Sequence, residues 1–589
     1  MDLVFMFSDG TTSQQPKVCV KDSNSGQWLS FTEVCHVVRC DAASDLVNCL
    51  RDVESWVTRG YAAAGFVGYE GGAAFYAGKQ ARVSPLPVAW FAISKSVVTV
   101  DGPDTVEKWP RLLWWSDNSV ASYYTQLARI HQAIAQGETY QVNYTYGLHA
   151  QVDDDFDAWS FFGYLNCRHQ GGYAAYLDIG SHVVCSVSPE LFFAVDGQHI
   201  TTRPMKGTAP RGASDEEDRR RAAELHQSEK NRAENLMIVD MLRNDLGQLA
   251  TVGSVSVRDL YHLEGYPTVW QLTSKVEAQL PAGCGLVEQF KALFPCASIT
   301  GAPKKKTMEW IDRLESGPRG VYTGAIGFIT PQGRSQFNVA IRTAVYDRHE
   351  QHVHYGVGGG IVWDSDSADE WRETRIKASV LPGVGDFSLL ETLLWRPDQG
   401  YRNLEYHLQR LEKSAQLLGI DVNRHCLRHH LVEAAAVQPP RWWRVRCLVD
   451  FLGDVSCEFI PYQHQGQTQA LRLALAVTAV NSRDPWLQHK TDQRQRYEVL
   501  RNQAPGADDV LMYNECGEIT ETTTANVVVH YQGRWVTPPV ACGLLPGTMR
   551  QRLLDEGRIV EQVVTVDEVS NCDIYLINSL RGWRWARLG

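Results

Sequence analysis

The stretch Arg203-Pro204-Met205-Lys206-Gly207-Thr208 organises the first half of the chain. It follows a strand-like run from Leu191 to Ile200. Pro204 fixes its own φ angle and Gly207 lets the backbone come close to a ligand, so the pattern predicts a tight, rigid turn. A lysine held on such a turn is either a solvated surface charge or a positioned nucleophile. Composition alone favours the surface charge, because most lysines are solvated.

Two carboxylates next to this turn strengthen the second interpretation. Glu190 ends the preceding element in Ser188-Pro189-Glu190, and Glu234 lies on the helix that follows. That helix is predicted to begin with a capping box at 214–217 and to continue to about Leu246. Two carboxylates and a lysine around one turn are a candidate active site. The alternative for Glu234 is an ordinary salt-bridged helix residue.

A glycine run and a charged helix form a second candidate group. Gly358-Gly359-Gly360 follows a predicted strand, His352 to Val357, and such a run often lets backbone N–H groups bind an anion. The next helix carries Glu370, Glu373 and Lys377 on one face. A plain surface pair between Glu373 and Lys377 is the default interpretation of that face.

Composition excludes several classes of protein. The chain has 589 residues, 44% of them hydrophobic, and a net charge of −11. This length predicts two or more domains, and the negative charge argues against a nucleic-acid or anionic membrane partner. We see no apolar run long enough to cross a bilayer and no signal peptide. The 14 cysteines lack C-x-x-C or zinc spacing, which indicates reduced thiols and a cytoplasmic protein.

The second half begins a new pattern after a break near 381–385, so we expect domains at 1–381 and 382–589. A strand is predicted from Phe387 to Trp395 and a helix from Tyr406 to Leu418. The histidines around Cys426 look like metal ligands, but they lie in an Arg-rich helical stretch and are interpreted as its polar face. Elements expected in the first half are a helix at 122–136 and strands at 174–179, 183–187, 324–330 and 336–346.

The first half resembles the chorismate-utilising enzymes, in particular the aminodeoxychorismate synthase component I group. The resemblance rests on the segments 137–143, 188–190, 204–208, 234–245, 298–304, 341–343 and 358–377. Lys206 combined with Gln141 is the pairing typical of that group. Anthranilate synthases carry Ala at the first position, and isochorismate and salicylate synthases carry Lys at the second. Gln271 departs from the family, since many relatives have His there.

This resemblance implies roles for individual residues. Glu190 would be the general acid and Lys206 the nucleophile that adds to chorismate. Glu234 and Glu373, with Glu370 nearby, would bind Mg²⁺. The substrate-binding residues would be Arg342, Lys377, Thr300, Tyr322 and the backbone of Gly358, Gly359 and Gly360. Ammonia would come from a separate glutamine amidotransferase subunit, because the sequence contains no G-x-C-x-G nucleophile motif.

The second half is similar to aminodeoxychorismate lyase, a class IV aminotransferase relative. The matching segments are 390–392, 407–411, 490–491, 521–526, 543–550 and 578–583. The resemblance implies pyridoxal phosphate, with Lys490 as the attaching and proton-moving lysine and Glu521 at the pyridine nitrogen. Arg410 and Thr548 would bind the phosphate. It also implies a possible homodimer through this half.

Together the two resemblances imply an α+β protein. An α/β sandwich like that of anthranilate synthase component I would precede a two-subdomain fold like that of D-amino-acid aminotransferase. The implied function is a bifunctional enzyme that makes p-aminobenzoate from chorismate for folate. Two alternatives remain: the C-terminal half is a non-catalytic binding module, or it is a true transaminase that needs a 2-oxo acid.

Overall fold

The computed structural model describes residues 18–76, 81–116, 118–169, 171–212, 214–265, 269–464, 466–467, 469–570 and 572–589. They form two compact units. The first consists of the described residues up to Leu112 together with those of Ser116–Leu381, and the second of Leu113–Trp115 together with those of Pro382–Gly589. All 14 cysteines are free thiols. Within the described ranges, none of the helices combines the length and apolarity that a bilayer crossing requires.

The first unit contains seventeen strands and eight α-helices within the described residues. The strands are β1 (Val18–Lys21), β2 (Trp28–Cys40), β3 (Ala62–Val67), β4 (Ala89–Val100), β5 (Gln141–Gln151), β6 (Tyr173–Asp178), β7 (His182–Ser188), β8 (Leu191–Asp196), β9 (His199–Arg203), β10 (Met205–Pro210), β11 (Ser256–Gly265), β12 (Val269–Gln279), β13 (Gly301–Ala302), β14 (Ala325–Ile329), β15 (Ser335–Val339), β16 (Thr343–Asp347) and β17 (His352–Ile361). The helices are α1 (Leu46–Thr58), α2 (Val120–Ala135), α3 (Ala158–His169), α4 (Asp215–Gln227), α5 (Glu229–Gly247), α6 (Leu286–Leu293), α7 (Lys304–Leu314) and α8 (Ser367–Ala378).

All strand pairs of the first unit are antiparallel. The pairing runs β13–β5–β17–β16–β7–β6–β1–β2–β4–β3–β14–β15–β8–β9–β12, and β10 and β11 also pair with β12. Such a long ladder can bury apolar side chains on both faces, because successive residues of a strand point to opposite sides.

Strand β3 shows this alternation and separates two cores. Ala64 and Phe66 face a core built mainly from strands. Ala63 and Val67 face the opposite core, which also contains the apolar faces of α1, α5 and α6. Helix α5, which carries Glu234, packs against β10 and β12. Helix α8, which carries Glu373, packs against β17. The first unit therefore places both glutamates on helices supported by strands.

Several expected elements are divided in the structure. The run 191–200 is a hairpin of β8 and β9, because Gly197 turns the chain at a φ of 59°. The single charged helix is two helices, and Ser228 caps the second by accepting from the N–H of Asn231. Ser214 caps the first helix by accepting a hydrogen bond from the N–H of Glu217, which is one half of the expected capping box. The predicted strand 336–346 is β15 and β16, separated near Arg342, whose φ is 49°.

The second unit has two sheets among its described residues. One contains β19, β18, β20 and β21 in that order and packs against α9 and α10. The other has the order β24-β23-β22-β29-β28-β25-β26-β27, and a further β24–β25 pairing closes six of its strands on themselves. The strands are β18 (Leu389–Arg396), β19 (Gly400–Tyr401), β20 (Trp443–Val449), β21 (Val455–Pro461), β22 (Leu471–Leu475), β23 (Asp509–Tyr513), β24 (Ile519–Thr522), β25 (Asn526–Tyr531), β26 (Arg534–Thr537), β27 (Val560–Glu561), β28 (Asp573–Asn578) and β29 (Gly582–Leu588). The helices are α9 (Leu404–Leu417), α10 (Arg424–Ala436), α11 (Gln495–Asn502), α12 (Thr548–Asp555) and α13 (Val566–Val569).

Candidate active sites

Lys206 lies on strand β10 rather than on a free turn. The register between β10 and β12 shifts between Met205 and Thr208, which marks a β-bulge at Lys206 and Gly207. Gly207 has a φ of 89°, a conformation that L side chains rarely adopt. The prediction of a turn was therefore wrong, although glycine does set the local geometry. A bulge re-aims the side chain of a strand residue, here the half-buried Lys206.

The glycine run is part of strand β17, which corrects the expectation of a glycine loop after the strand. Gly358, Gly359 and Gly360 pair with 143–145 of β5. A Cβ on Gly360 would lie 2.7 Å from Gln141 Nε2 and 3.0 Å from Lys206 Nζ. These glycines thus leave room for functional side chains above the sheet.

Gln141 supplies polar groups that no described residue satisfies. Its side chain lies in the interior, with 1% of the residue exposed, and neither Oε1 nor Nε2 has a hydrogen-bond partner among the described residues. Buried polar atoms are normally paired, so two unpaired atoms beside Lys206 indicate that a ligand or solvent binds here.

Glu190 is the buried acid of this site. The residue is 4% exposed, and Ser298 Oγ donates a hydrogen bond of 2.7 Å to its Oε1. Burial raises the pKa of Glu190 to about 7, because the anion loses its hydration, while Ser298 and the Lys206 charge oppose the rise. Glu190 can therefore hold a proton near neutrality.

Three carboxylates and a lysine lie on α5 and α8. Burial raises the pKa of Glu234 and of Glu370, and the charge of Glu373 adds to both increases. Lys377 lowers the pKa of Glu373 through an ion pair of 2.7 Å, and its Nζ also donates to Gly358 O at 2.8 Å. The surface pair considered from sequence does form, with 53% of the Glu373 side chain exposed.

The remaining residues expected to bind substrate differ in their surroundings. Arg342 Nη1 lies 2.5 Å from His169 Nδ1. Thr300 is fully buried, and its hydroxyl donates to Cys296 O at 2.9 Å, so that donor is already engaged. The Tyr322 ring fills the space beside Gly356 of β17. Sequence reasoning missed His169, because a lone histidine at a helix end carries no motif.

Lys490 is the central residue of the candidate site in the second unit. Its backbone carbonyl accepts a hydrogen bond of 2.9 Å from Leu390 N, which ties it to the start of β18. Burial lowers the pKa of Lys490 to about 8, and the charge of Arg410 lowers it further against the opposing effect of Glu391. A lysine in this state supplies a neutral amine at mildly basic pH.

Glu521 is a buried carboxyl on β24. Burial raises the pKa of Glu521 to about 8. Tyr497 Oη lies 3.4 Å and Asn526 Nδ2 lies 3.3 Å from its two oxygens. No described lysine or arginine forms an ion pair with it. A buried carboxyl of this kind is suited to face a protonatable ring nitrogen.

A network of polar side chains lies near the β18–α9 segment. Arg410 donates to both oxygens of Glu391, at 2.9 and 2.6 Å, and to Pro546 O at 3.2 Å. Thr548 Oγ1 lies 2.6 Å from Ser579 Oγ. His407 lies between the two groups, 2.6 Å from Glu391 and 3.3 Å from Thr548. This network links Arg410 on α9 to Thr548 at the start of α12.

Comparison with known proteins finds a matching family for most of each unit. Residues 102–382 match the family described as chorismate binding enzyme, and residues 388–587 match amino-transferase class IV. Aminodeoxychorismate synthase of Streptomyces griseus is 45% identical over 42% of this chain and 34% of its own length. Aminodeoxychorismate synthase component 1 of Escherichia coli (strain K12) is 38% identical over 45% of this chain and 58% of its own length. The chain thus spans between a third and three fifths of the length of these curated relatives.

A solved structure supports the fold of the first unit. Anthranilate synthase component I from Streptococcus pneumoniae TIGR4 superposes with a TM-score of 0.53 at 22% identity, covering 64% of this chain and 94% of that chain. At this identity the likeness concerns the fold alone. The expected α+β fold with a chorismate-binding unit before a class IV unit is confirmed. Residues 102–382 of the chain therefore match the chorismate binding enzyme family, and residues 388–587, which follow them, match amino-transferase class IV.

Proposed function

We propose that the first unit aminates chorismate to 4-amino-4-deoxychorismate and that the second unit removes pyruvate from this product, giving p-aminobenzoate. The observation that carries the first reaction is the placement of Lys206 Nζ and Gln141 Nε2 against Gly360, in the unit that holds the buried acid Glu190. The names of the two curated relatives support the same reaction.

Glu190 provides the proton that the first step requires. Hydroxide is a poor leaving group, so the hydroxyl on ring C4 of chorismate must leave as water. A carboxyl with a pKa of about 7 is partly protonated at neutral pH and can donate that proton. The bond from C4 to oxygen then breaks, and Glu190 remains as the carboxylate.

Lys206 forms a temporary bond to the substrate. Its neutral amine adds to ring C2, the two ring double bonds each move by one position, and water leaves C4. Ammonia then adds to C4, the double bonds shift back, and the amine of Lys206 leaves C2. Ammonia gives up one proton in this exchange. The bulge at Gly207 positions Lys206 for both steps.

The carboxylates of α5 and α8 fit Mg²⁺ in their chemistry. Their oxygen donors are those that Mg²⁺ prefers, and a cation would offset the burial, and the smaller repulsion by Glu373, that raise the pKa of Glu234. The described residues contain no group of three or more His, Cys, Asp or Glu side chains placed to hold a metal. Glu373 is paired with Lys377, so metal binding would compete with this ion pair. Glu234 and Glu373 would hold the ion, with Glu370 near, and the ion would neutralise a substrate carboxylate.

Arg342 would bind the enolpyruvyl carboxylate, since its guanidinium offers several donors in one plane. Lys377, Thr300, Tyr322 and the β17 backbone at Gly358–Gly360 would line the same pocket. Because Gly358–Gly360 lie in a paired strand, their main contribution is space for substrate and side chains.

The second unit fits pyridoxal phosphate, which class IV amino-transferases imply. The buried Lys490 offers an amine, Glu521 offers a carboxyl without an ion-pair partner among the described residues, and Arg410 with Thr548 offers donors for a phosphate. When bound, this cofactor would act as an electron sink for the carbon that bears the amino group.

The residues around it would control protons and orientation. Lys490 would take the proton from the ring carbon of the substrate and return one as pyruvate leaves. Glu521 would keep a proton on the ring nitrogen of the cofactor. Burial of both groups excludes water from these transfers.

We propose three further properties. A separate glutamine amidotransferase subunit supplies ammonia, because the sequence lacks the glutaminase nucleophile motif. The class IV half forms a homodimer, and the enzyme acts in the cytoplasm. The net charge of −11 speaks against a nucleic-acid partner.

One incubation tests the proposed function. The purified chain, loaded with pyridoxal phosphate, receives chorismate, Mg²⁺ and an ammonium salt, and the aromatic product is identified by mass spectrometry. p-Aminobenzoate with equimolar pyruvate is expected. Anthranilate or isochorismate would contradict the first reaction. Accumulated aminodeoxychorismate would contradict the second, and product that forms only with a 2-oxo acid would indicate a transaminase.

A further inference from the structure

His169 at the end of α3 contacts the arginine that we expect to bind substrate. Its Nδ1 lies 2.5 Å from Arg342 Nη1, and only 3% of the residue is exposed. A guanidinium has donors and no acceptor, so the histidine must accept this hydrogen bond. His169 is therefore neutral and carries its proton on Nε2.

The charge state of His169 agrees with this geometry. Burial lowers the pKa of His169 well below its usual range, and the charge of Arg342 adds to the decrease. Its Nε2 is buried and has no acceptor among the described residues. An unsatisfied buried donor destabilises a fold, so a residue needed only for packing would be better replaced by leucine or phenylalanine.

The backbone of Arg342 is also held in an unusual state. Its φ of 49° lies in the left-handed region, which is strained for a residue other than glycine. Its carbonyl accepts a hydrogen bond of 3.0 Å from Val187 N, which fixes this conformation beside β7. Both the main chain and the side chain of Arg342 are thus constrained at some expense of stability.

We propose that His169 is a positioning residue, which accepts a hydrogen bond from Arg342 and so aims its guanidinium at a substrate carboxylate. This inference rests on the proposed amination of chorismate. Without the acceptor at Nδ1, Arg342 would sample other rotamers, and the substrate would lose an oriented ion pair. Loss of the acceptor at His169 should therefore weaken substrate binding and leave the rates of the chemical steps nearly unchanged.

Two substitutions at this position separate positioning from packing. His169→Leu removes the acceptor and the unsatisfied Nε2 donor together. We expect the KM for chorismate to rise at least about 10-fold, as for the loss of a hydrogen bond to a charged group, with kcat nearly unchanged. The melting temperature should not decrease. His169→Asn restores an acceptor oxygen. Its KM for chorismate should therefore lie within about 3-fold of the wild-type value, clearly below the increase of about 10-fold expected for His169→Leu.

A second histidine provides the control. His131 on α2 also has a buried Nε2 without a partner among the described residues. His131→Leu should leave the KM for chorismate unchanged. The dissociation constant of chorismate, measured by calorimetry in a Lys206→Ala background that cannot form a covalent bond to the substrate, gives an independent reading for each variant.

Three results would overturn the inference: an unchanged KM in His169→Leu, the same loss in His169→Asn, or an equal loss in His131→Leu. A wild-type chain that binds chorismate but does not aminate it would contradict the proposed function. The calorimetric comparison would still decide the role of His169.

Discussion

Glu190 and Lys206 act as a pair because their surroundings differ. Glu190 is deeply buried, so part of it keeps its proton at neutral pH, even though the hydrogen bond from Ser298 favours the carboxylate. Lys206 is only half-buried, on a bulge that faces Gln141 and Gly360. The acid is thus in the apolar environment and the amine on the accessible side, which suits a site where water must leave and ammonia must enter.

The titration of Glu190 should be visible in the kinetics. At constant free ammonia, the slope of log(kcat/KM) against pH should decrease by one as the pH rises through about 7, because Glu190 loses its proton there. Glu190→Gln should lower kcat/KM at least about 100-fold and remove this change of slope. A Gln variant that keeps the inflection would assign it to another group.

Lys490 should reveal its lowered pKa when the apoprotein takes up pyridoxal phosphate. Only the neutral amine adds to the aldehyde, so the rate of uptake should rise with pH and level off above about 8. An ordinary lysine would continue to rise towards about 10.4. The absorbance of bound cofactor measures this rate. Lys490→Ala should show no such absorbance, and a rise that continues to pH 10 would contradict the buried environment.

At the scale of elements, a substitution in β17 distinguishes two roles for its glycines in the substrate pocket. They supply either a backbone N–H group or space for neighbouring side chains. If Gly360 only offered its backbone N–H, Gly360→Ala would be tolerated, since alanine keeps that group. Its Cβ would however lie 2.7 Å from Gln141 Nε2 and 3.0 Å from Lys206 Nζ. We expect kcat/KM for amination to fall about 100-fold, as for a small misplacement of reacting groups, with an unchanged circular dichroism spectrum.

Gly172→Ala, in the turn that precedes β6, is the control for a glycine substitution without a clash, because its Cβ would meet no atom within 4 Å. It should retain wild-type amination. Equal activity in Gly360→Ala and wild type would show that Lys206 and Gln141 do not share the space above Gly360.

The sequence predicted the elements whose signals are local. Helical spacing predicted α2, and the strands expected at 174–179 and 183–187 are β6 and β7, close to their observed bounds. The bulge at Lys206 and the pairing of Gly358–Gly360 with β5 depend on partners more than fifty residues away, which no local pattern encodes. His169 was missed for the same reason, since its partner Arg342 is far along the chain.

At the scale of the whole molecule, each unit has its own apolar cores. A lesion in one active site should therefore leave the other unit folded and active. Lys490→Ala should accumulate aminodeoxychorismate from chorismate and ammonia, and Lys206→Ala should make neither product. A mixture of the two variants should form p-aminobenzoate again, as measured by chromatography. If both variants are folded and their mixture forms no p-aminobenzoate, the claim that independent units exchange a free intermediate is contradicted.

The central claim is that Lys206 bonds covalently to the substrate. The wild-type chain is incubated with chorismate and Mg²⁺ without ammonia, quenched in acid, digested and analysed by mass spectrometry. We predict that the peptide with Lys206 gains the mass of chorismate less one water, and that added ammonium removes this adduct. Lys206→Arg should show no adduct, because guanidinium stays protonated. An unmodified Lys206, together with undiminished p-aminobenzoate formation by Lys206→Ala, would contradict the account.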